Sequence, residues 1–230
     1  MDVQPESTGD QLVGYFDILG TKDRVQKGQF DDLEVFDFAG PPESVARAFA
    51  SFRLAAFSDS VILSASSNRA LDFLRAVNFL MCNWAADLVF VRGGVALGEI
   101  VWVDSIHPDN ARQLPNFSCA RVYGKALVEA VKIEGSSGPG IATFVSDSAA
   151  DFFENEIPGS ILRGHSNILV FLNQKEMRDW KGFYNDWAKR KQRDTSANLH
   201  FLATLRLLTL MEKSDVGVKF RGLFMPPESS

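Results

Sequence analysis

Cysteine is scarce in this sequence, with Cys82 and Cys119 the two examples among 230 residues. They lie far apart and form no CxxC pair, which excludes a disulfide framework or a thiolate zinc site and reads as buried thiols in a reducing compartment. Histidine is also sparse: His107, His165 and His200 are scattered without ligand spacing, and no Ser-His-Asp or Cys-His set can be assembled. An excess of positive charge is missing, since 24 Lys and Arg face 29 Asp and Glu for a net charge of −5. General binding to nucleic acid or to an anionic membrane is therefore not expected. No apolar run approaches the roughly 20 residues of a membrane span. The opening MDVQPESTGD is polar and acidic and lacks the basic and apolar parts of a signal peptide. These absences together predict a cytoplasmic protein without internal repeats or low-complexity segments.

What is present is ordinary globular material, 46% hydrophobic and 23% charged. The length suits one sizeable core. We expect a single domain over residues 1–230, with a core of about 10–175 and a helical extension of about 176–230.

One stretch organises the rest. Leu12 to Thr21, LVGYFDILGT, reads as a buried strand carrying one carboxylate, Asp17, before Gly20 breaks it. An uncompensated ion there costs several kcal/mol, so something positive is expected beside it. About forty residues on, Phe57 to Leu63, FSDSVIL, places Asp59 at the tip of a hairpin between apolar runs. Taken singly, each aspartate is a turn or cap residue. Taken together on adjacent strands, they are what a pair of hard divalent ions needs.

Between these landmarks, Lys22 to Pro42 reads as a loop with one short helix, Glu43 to Phe52 as a helix, and Arg53 to Ser64 as the hairpin around Ser58 and Asp59. Leu71, Leu74, Val77, Phe79 and Leu80 give a core helix over Asn68–Ala86, after a Ser-Ser-Asn capping cluster. Leu88–Arg92 and Val95–Val103 read as two strands split by Gly93-Gly94, and Ile106–Phe117 as a covering loop. Gly124–Glu134 is an amphipathic helix with its apolar line on Leu127, Ala130 and Val131. A strand at Ile141–Val145, a helix at Ser146–Asn155 and a strand at Ile168–Leu172 follow. Helices at Glu176–Arg193 and Ser196–Lys213 and a last strand at Val216–Phe224 complete the chain. Trp180, Phe183, Tyr184 and Trp187 form a stripe that reads as packing. The order predicts a mixed α/β sheet with helices on one face and the other face free for a partner.

Four motifs in this order, YFDILGTKD, FSDSVIL, VRGGVALGEI and VYGKALVEAVKIE, resemble the class III nucleotidyl cyclases over about residues 12–146. Within that family the chain looks most like the bacterial pyrimidine cyclases of antiphage defence, the Pycsar cyclases. The resemblance implies an α+β, ferredoxin-like catalytic domain with a mostly antiparallel sheet and extra C-terminal helices. It implies two Mg²⁺ or Mn²⁺ ions per site held by Asp17, Asp59 and the Ile18 carbonyl, with the amides of Leu19, Gly20 and Thr21 on the phosphates. It also implies a head-to-tail homodimer with two shared sites, no nucleic-acid or membrane partner, and an effector protein that responds to the cyclic product.

Departures from the purine cyclases shape the expected substrate. Arg92 matches the basic residue of the third motif and is expected, with Lys132, to be catalytic, through a phosphate or interface contact, the other reading being a structural ion pair. The Asn and Arg that steady the transition state in purine cyclases fall on Val128, which has no donor, and Lys132, which keeps the charge but not the planar fork. The purine-reading lysine falls on Ala55 and the purine-reading aspartate on Arg121, while Arg53 shares a strand face with Ala55. Arg53 and Arg121 offer donors to a carbonyl-rich base. The expectation is a cyclase making cyclic UMP or, next, cyclic CMP. The alternatives are an inactive cyclase-like module that senses nucleotides or dimerises, and a purine cyclase with altered base contacts. Lys189–Arg193, Lys219 and Arg221 read as solvated charge, with triphosphate contact as the other reading.

Overall fold

Strand-forming and helix-forming stretches alternate along the chain. The computed structural model, which describes residues 9–28, 32–103, 121–190, 195–214 and 216–217, assembles them around one seven-stranded sheet. The strands are β1 (Gln11–Ile18), β2 (Arg53–Phe57), β3 (Ser60–Ser66), β4 (Val91–Gly98), β5 (Val101–Trp102), β6 (Val122–Tyr123), β7 (Thr143–Val145), β8 (Ile161–Leu162) and β9 (Asn167–Leu169). The helices are α1 (Thr21–Gln26), α2 (Asp32–Ala48), α3 (Ala70–Ala86), α4 (Lys125–Ser136), α5 (Asp147–Glu156), α6 (Gln174–Arg190) and α7 (Thr195–Lys213). The sheet order is β2-β3-β1-β4-β7-β9-β8, antiparallel except for the β4–β7 pair, and β5–β6 forms a separate ribbon. This is the mixed, mostly antiparallel α/β architecture expected from the sequence.

The period-2 alternation of β1 divides the molecule in two. Leu12, Phe16 and Ile18 enter a large core with Phe38 of α2, Phe73 and Trp84 of α3, Phe153 of α5, Tyr184 of α6 and Phe201 of α7. Val13, on the opposite face, joins a small cluster with Ile62, Ala96, Ala126 and Ala130. The expectation of helices on one face thus holds for α2, α3, α5, α6 and α7, and is corrected for α4, which covers the other face.

The glycine pair explains how α4 gets so close. Rather than splitting two strands, Gly93 and Gly94 lie inside the single strand β4. A Cβ on Gly94 would fall 2.0 Å from the Ala130 carbonyl oxygen of α4, and one on Gly93 would fall 2.6 Å from the Phe16 ring on the other face. Each glycine therefore admits a neighbour that a side chain would exclude. The buried line of α4 is accordingly Ala126, Ala130 and Glu134, in place of the expected Leu127, Ala130 and Val131. The strand starts at Val91, not Leu88, because Leu88 turns the chain with φ of 64°.

A second correction concerns α2, which runs through Pro41 and Pro42 where a loop was expected. Pro42 has no N–H to give the carbonyl of Phe38, one turn back. Trp84 supplies the missing donor: its indole Nε1–H reaches the Phe38 oxygen at 2.9 Å, and the two rings stack at 5.0 Å. The Ser-Ser-Asn cluster forms a 3-10 turn at Ser67–Arg69 without a side-chain cap, whereas Ser146 does cap α5 by accepting from Ala149 N–H at 3.2 Å. Strand β8 was not expected. The expected Ile106–Phe117 loop lies outside the described residues, as does nearly all of Val216–Phe224.

The C-terminal helices pack onto the large core through Trp180, Phe183 and Tyr184, as the aromatic stripe predicted; the side chain of Trp187 lies outside the described residues. Cys82 is partly buried beside them, and burial pushes its thiol up to about 12. Cys119 lies outside the described residues. Among the described residues no helix is long and apolar enough to cross a membrane.

Candidate functional site

Asp17 is the last inward-facing residue of β1 on the α4 side, and the pairing register sets Ser60 of β3 on one flank and Arg92 of β4 on the other. Asp59 follows from the same register. It sits in the β2–β3 turn next to Ser60, and its carbonyl accepts the Ile18 N–H at 3.0 Å, which ties the turn to the end of β1. Asp17 and Asp59 therefore share one end of the sheet.

Three hydroxyls hold these carboxylates. Ser60 Oγ donates to Asp17 Oδ1 at 2.8 Å, the Tyr15 hydroxyl lies 2.9 Å from Ser60 Oγ and 3.4 Å from the same Asp17 oxygen, and Ser58 Oγ donates to Asp59 Oδ1 at 2.8 Å. Among the described residues neither Oδ2 has a hydrogen-bonding partner. Burial, with the nearby Asp59 charge, raises the Asp17 carboxyl above the ordinary range, against the hydrogen bonds from Ser60 and Tyr15 and the pull of Arg92. A half-buried carboxylate with a like charge beside it suits a bound cation.

Arg92 is the positive neighbour that a buried Asp17 calls for, yet its own donors are engaged. Its Nε and Nη2 reach Glu134 Oε1 at 2.7 and 2.6 Å, and Nη1 donates to the Gly138 carbonyl at 2.9 Å. Of the two sequence readings, the geometry favours the structural ion pair, which clamps the C-terminal end of α4 to β4 above Asp17. Burial raises the Glu134 carboxyl, opposed by Arg92.

The remaining sequence candidates divide. Ile18 and Thr21 adjoin the aspartates, and the Thr21 hydroxyl donates to the Ile18 carbonyl at 3.1 Å, leaving that oxygen a second lone pair. Gly20 has φ of 80°, which permits the sharp exit from β1. The Leu19 amide is corrected as a phosphate donor, because it already donates to the Phe90 carbonyl at 2.8 Å.

Arg53 and Ala55 lie on the same sheet face as Asp17 but farther along it. Arg53 pairs with Ser64, four residues from Ser60, so it is roughly 13 Å from the aspartate row at strand spacing. Its guanidinium stands 5.2 Å above the Trp102 ring, whose Nε1–H donates to Ser64 Oγ at 2.8 Å. Arg121 precedes Val122, the pairing partner of Trp102, and its carbonyl accepts the Val103 N–H at 2.9 Å. One chain thus sets Arg53 on the Trp102 ring, away from the aspartates, while Arg121, one residue before Val122, falls on the face of the β5–β6 ribbon opposite Trp102. Lys132 is exposed on the outer surface of α4 with Val128, which is 69% exposed.

Tyr15, Ser58, Ser60 and Glu134 were not singled out in the sequence. Two had a readable signal: Tyr15 is two residues before Asp17 in a strand, and Glu134 continues the Ala126–Ala130 spacing. Ser58 reads in the sequence as turn chemistry, and Ser60 carries no separate signal.

The donor set fits small divalent ions, since two carboxylates and a carbonyl leave room for the waters and phosphates that Mg²⁺ keeps. Among the described residues there is no group of three or more His, Cys, Asp or Glu that could hold a metal without such help.

No protein-family model matches the sequence, and no curated protein matches it. Solved structures do match. A bacterial light-regulated adenylyl cyclase aligns at 12% identity with a TM-score of 0.53, over 73% of this chain and 52% of that one, so the present chain spans about half its length. A double mutant of the guanylyl cyclase domain of the RhoGC fusion protein from the aquatic fungus Blastocladiella emersonii aligns at 12% identity and 0.53, over 73% and 97%. The catalytic core of a rhodopsin-guanylyl cyclase with converted specificity, in complex with ATPαS, gives 12% and 0.51, over 73% and 98%. The fold of this chain is that of adenylyl and guanylyl cyclase domains.

Proposed function

We propose that this protein is a nucleotidyl cyclase that converts a pyrimidine nucleoside triphosphate, UTP in preference to CTP, to its 3′,5′-cyclic monophosphate and pyrophosphate. The observation that carries the reading is the meeting of Asp17 and Asp59 at one end of the sheet in a fold shared with cyclase domains. In the reaction the ribose 3′-oxygen forms a bond to the α-phosphorus, the α–β anhydride bond breaks, and the hydroxyl proton leaves to solvent. Two Mg²⁺ or Mn²⁺ ions, when bound, supply the Lewis acidity for this displacement. Asp17, Asp59 and the Ile18 carbonyl would hold them, and the turn at Gly20 and Thr21 would accommodate the phosphates.

The separation of Arg53 and Arg121 from the aspartates supports a site shared between two subunits of a homodimer. Each copy contributes its carboxylates to one site and its arginines, with Ala55 and Lys132, to the other. Arginine donors suit the carbonyls of uracil. The resemblance to the Pycsar cyclases extends the proposal to a cytoplasmic second messenger in antiphage defence, read by a separate effector protein.

Val128, without a donor where purine cyclases carry Asn, favours the alternative of a nucleotide-sensing module without turnover. Purine cyclisation is the other alternative, favoured by the adenylyl and guanylyl cyclases that share the fold. Incubating the protein and Mn²⁺ separately with ATP, GTP, CTP and UTP, and identifying products by mass, decides among them. Cyclic UMP or cyclic CMP is expected. A cyclic purine product overturns the pyrimidine assignment, and nucleotide binding with no turnover overturns the enzyme.

A further inference from the structure

Trp102 belongs to the small β5–β6 ribbon, yet both ends of its side chain are engaged by the main sheet. Its indole Nε1–H donates to Ser64 Oγ of β3 at 2.8 Å, and Ser64 is 2% exposed. Its ring packs against the cluster of Val13, Ile62, Ala96 and Ala126 between the sheet and α4. The guanidinium carbon of Arg53 stands 5.2 Å from the centre of the same ring. Arg53 and Ser64 are register partners, so one rung of the β2–β3 pair supplies both the acceptor that fixes the indole and the cation that rests on it.

An exposed arginine on an edge strand samples many rotamers, and a ligand that needs one of them must overcome that entropy on binding. An indole face attracts a cation more strongly than other aromatic rings do, so a ring already fixed by a hydrogen bond and by packing restricts the sampling beforehand. The attraction is electrostatic and needs none of the five N–H donors of the guanidinium, so it is compatible with donation to carbonyls. Resting on the base-reading role given to Arg53 above, we propose that Trp102 is a positioning residue that sets selectivity for a pyrimidine base. It holds Arg53 in the conformation that meets the base, and Ser64 holds Trp102. The effect has a ceiling, because the contact can enrich one Arg53 conformer by no more than its own Boltzmann factor.

The test is calorimetric titration of the intact protein, in Mn²⁺, with the 3′-deoxy forms of UTP and of ATP, which lack the attacking hydroxyl and cannot be cyclised. The wild type is compared with Arg53→Ala, Trp102→Leu, Trp102→Phe, Ser64→Ala and the double variant Arg53→Ala/Trp102→Leu, with thermal melts to check folding. Trp102→Leu is expected to weaken the pyrimidine analogue by about 3- to 30-fold, the range open to a cation–π contact, while the purine analogue changes much less. Trp102→Phe keeps a ring but loses the N–H, and Ser64→Ala keeps the ring but loses its acceptor; both should fall between Trp102→Leu and the wild type. The double variant should bind no more weakly than Arg53→Ala, because Trp102 acts through Arg53. A merely structural Trp102 would weaken both analogues alike and add to the Arg53→Ala loss, and that result overturns the positioning role. So does a pyrimidine preference lost in Arg53→Ala but kept in Trp102→Leu, which leaves base reading by Arg53 standing. No pyrimidine preference in the wild type, or an undiminished one in Arg53→Ala, overturns the base reading itself.

Discussion

The two faces of the sheet are built on opposite principles. The face under α2, α3 and α5 is thick and aromatic, with Phe16, Phe38, Phe73, Trp84 and Phe153 at 0–1% exposure. The face under α4 is thin, made of Val13, Ala96, Ala126, Ala130 and a glycine, and it carries Tyr15, Asp17, Arg92 and Glu134 at its edge. Stability resides in the first, where apolar area is buried at about 25 cal/mol per Å². The candidate site lies on the second, where the close approach of α4 at Gly94 brings charged groups together in a half-buried layer.

Substitutions can separate these roles. The largest expected effect is on turnover: Asp17→Ala or Asp59→Ala should reduce product formation to background in a mass-resolved cyclase assay while the melting temperature stays near wild type. Full activity in either variant would break the division. Gly94→Ala attacks the thin face mechanically, since its Cβ would meet backbone that cannot retreat without moving α4. A loss of about 3 kcal/mol, at the upper end for overpacking, is expected in denaturant unfolding.

Trp84→Phe tests the thick face. It keeps an aromatic ring but strands the Phe38 carbonyl that Pro42 leaves unpaired, at a cost of about 1–3 kcal/mol. Cyclase activity measured on the folded fraction should be retained.

A smaller effect joins the faces. His200 of α7 accepts the Gly140 N–H at Nδ1, 3.2 Å away, next to the Gly138 carbonyl that holds Arg92. Burial, and then Arg92, lower the His200 pKa below its ordinary 6.5. The folded protein therefore binds fewer protons than the unfolded chain just below pH 6.5, so this contribution is present above that pH and is lost as pH falls through the lowered value. Melts from pH 7.5 to 5 should show an acid-side decline that His200→Asn, which keeps an acceptor but does not titrate, reduces. An unchanged slope would remove His200 from the account. The smallest effect is expected for Lys181→Ala, which breaks the partly exposed pair with Glu212 between α6 and α7; solvent screens such a pair, so the melting temperature should stay close to that of the wild type.

Much of this was legible before any coordinates. The apolar run around Asp17, broken at Gly20, announced a buried strand carrying one carboxylate, and the helical spacing of Leu71, Leu74, Val77 and Leu80 announced α3. Misreadings came where a local signal was answered by a distant residue. Pro41-Pro42 is ordinarily a helix breaker, and only Trp84, more than forty residues away, supplies the donor that lets α2 continue. Gly93-Gly94 is ordinarily a turn, and only the arrival of α4 makes it the middle of a strand.

The amino-acid order by itself determined most of the strands and helices and which carboxylates stand at strand ends, because side-chain periodicity and turn chemistry act within a few residues. The tertiary structure alone decided that α4 covers the second face, that Arg92 turns to Glu134, and that Ser58 and Ser60 grip different aspartates. Those outcomes depend on register and on the distance between packed backbones, and neither is written in any single stretch of chain.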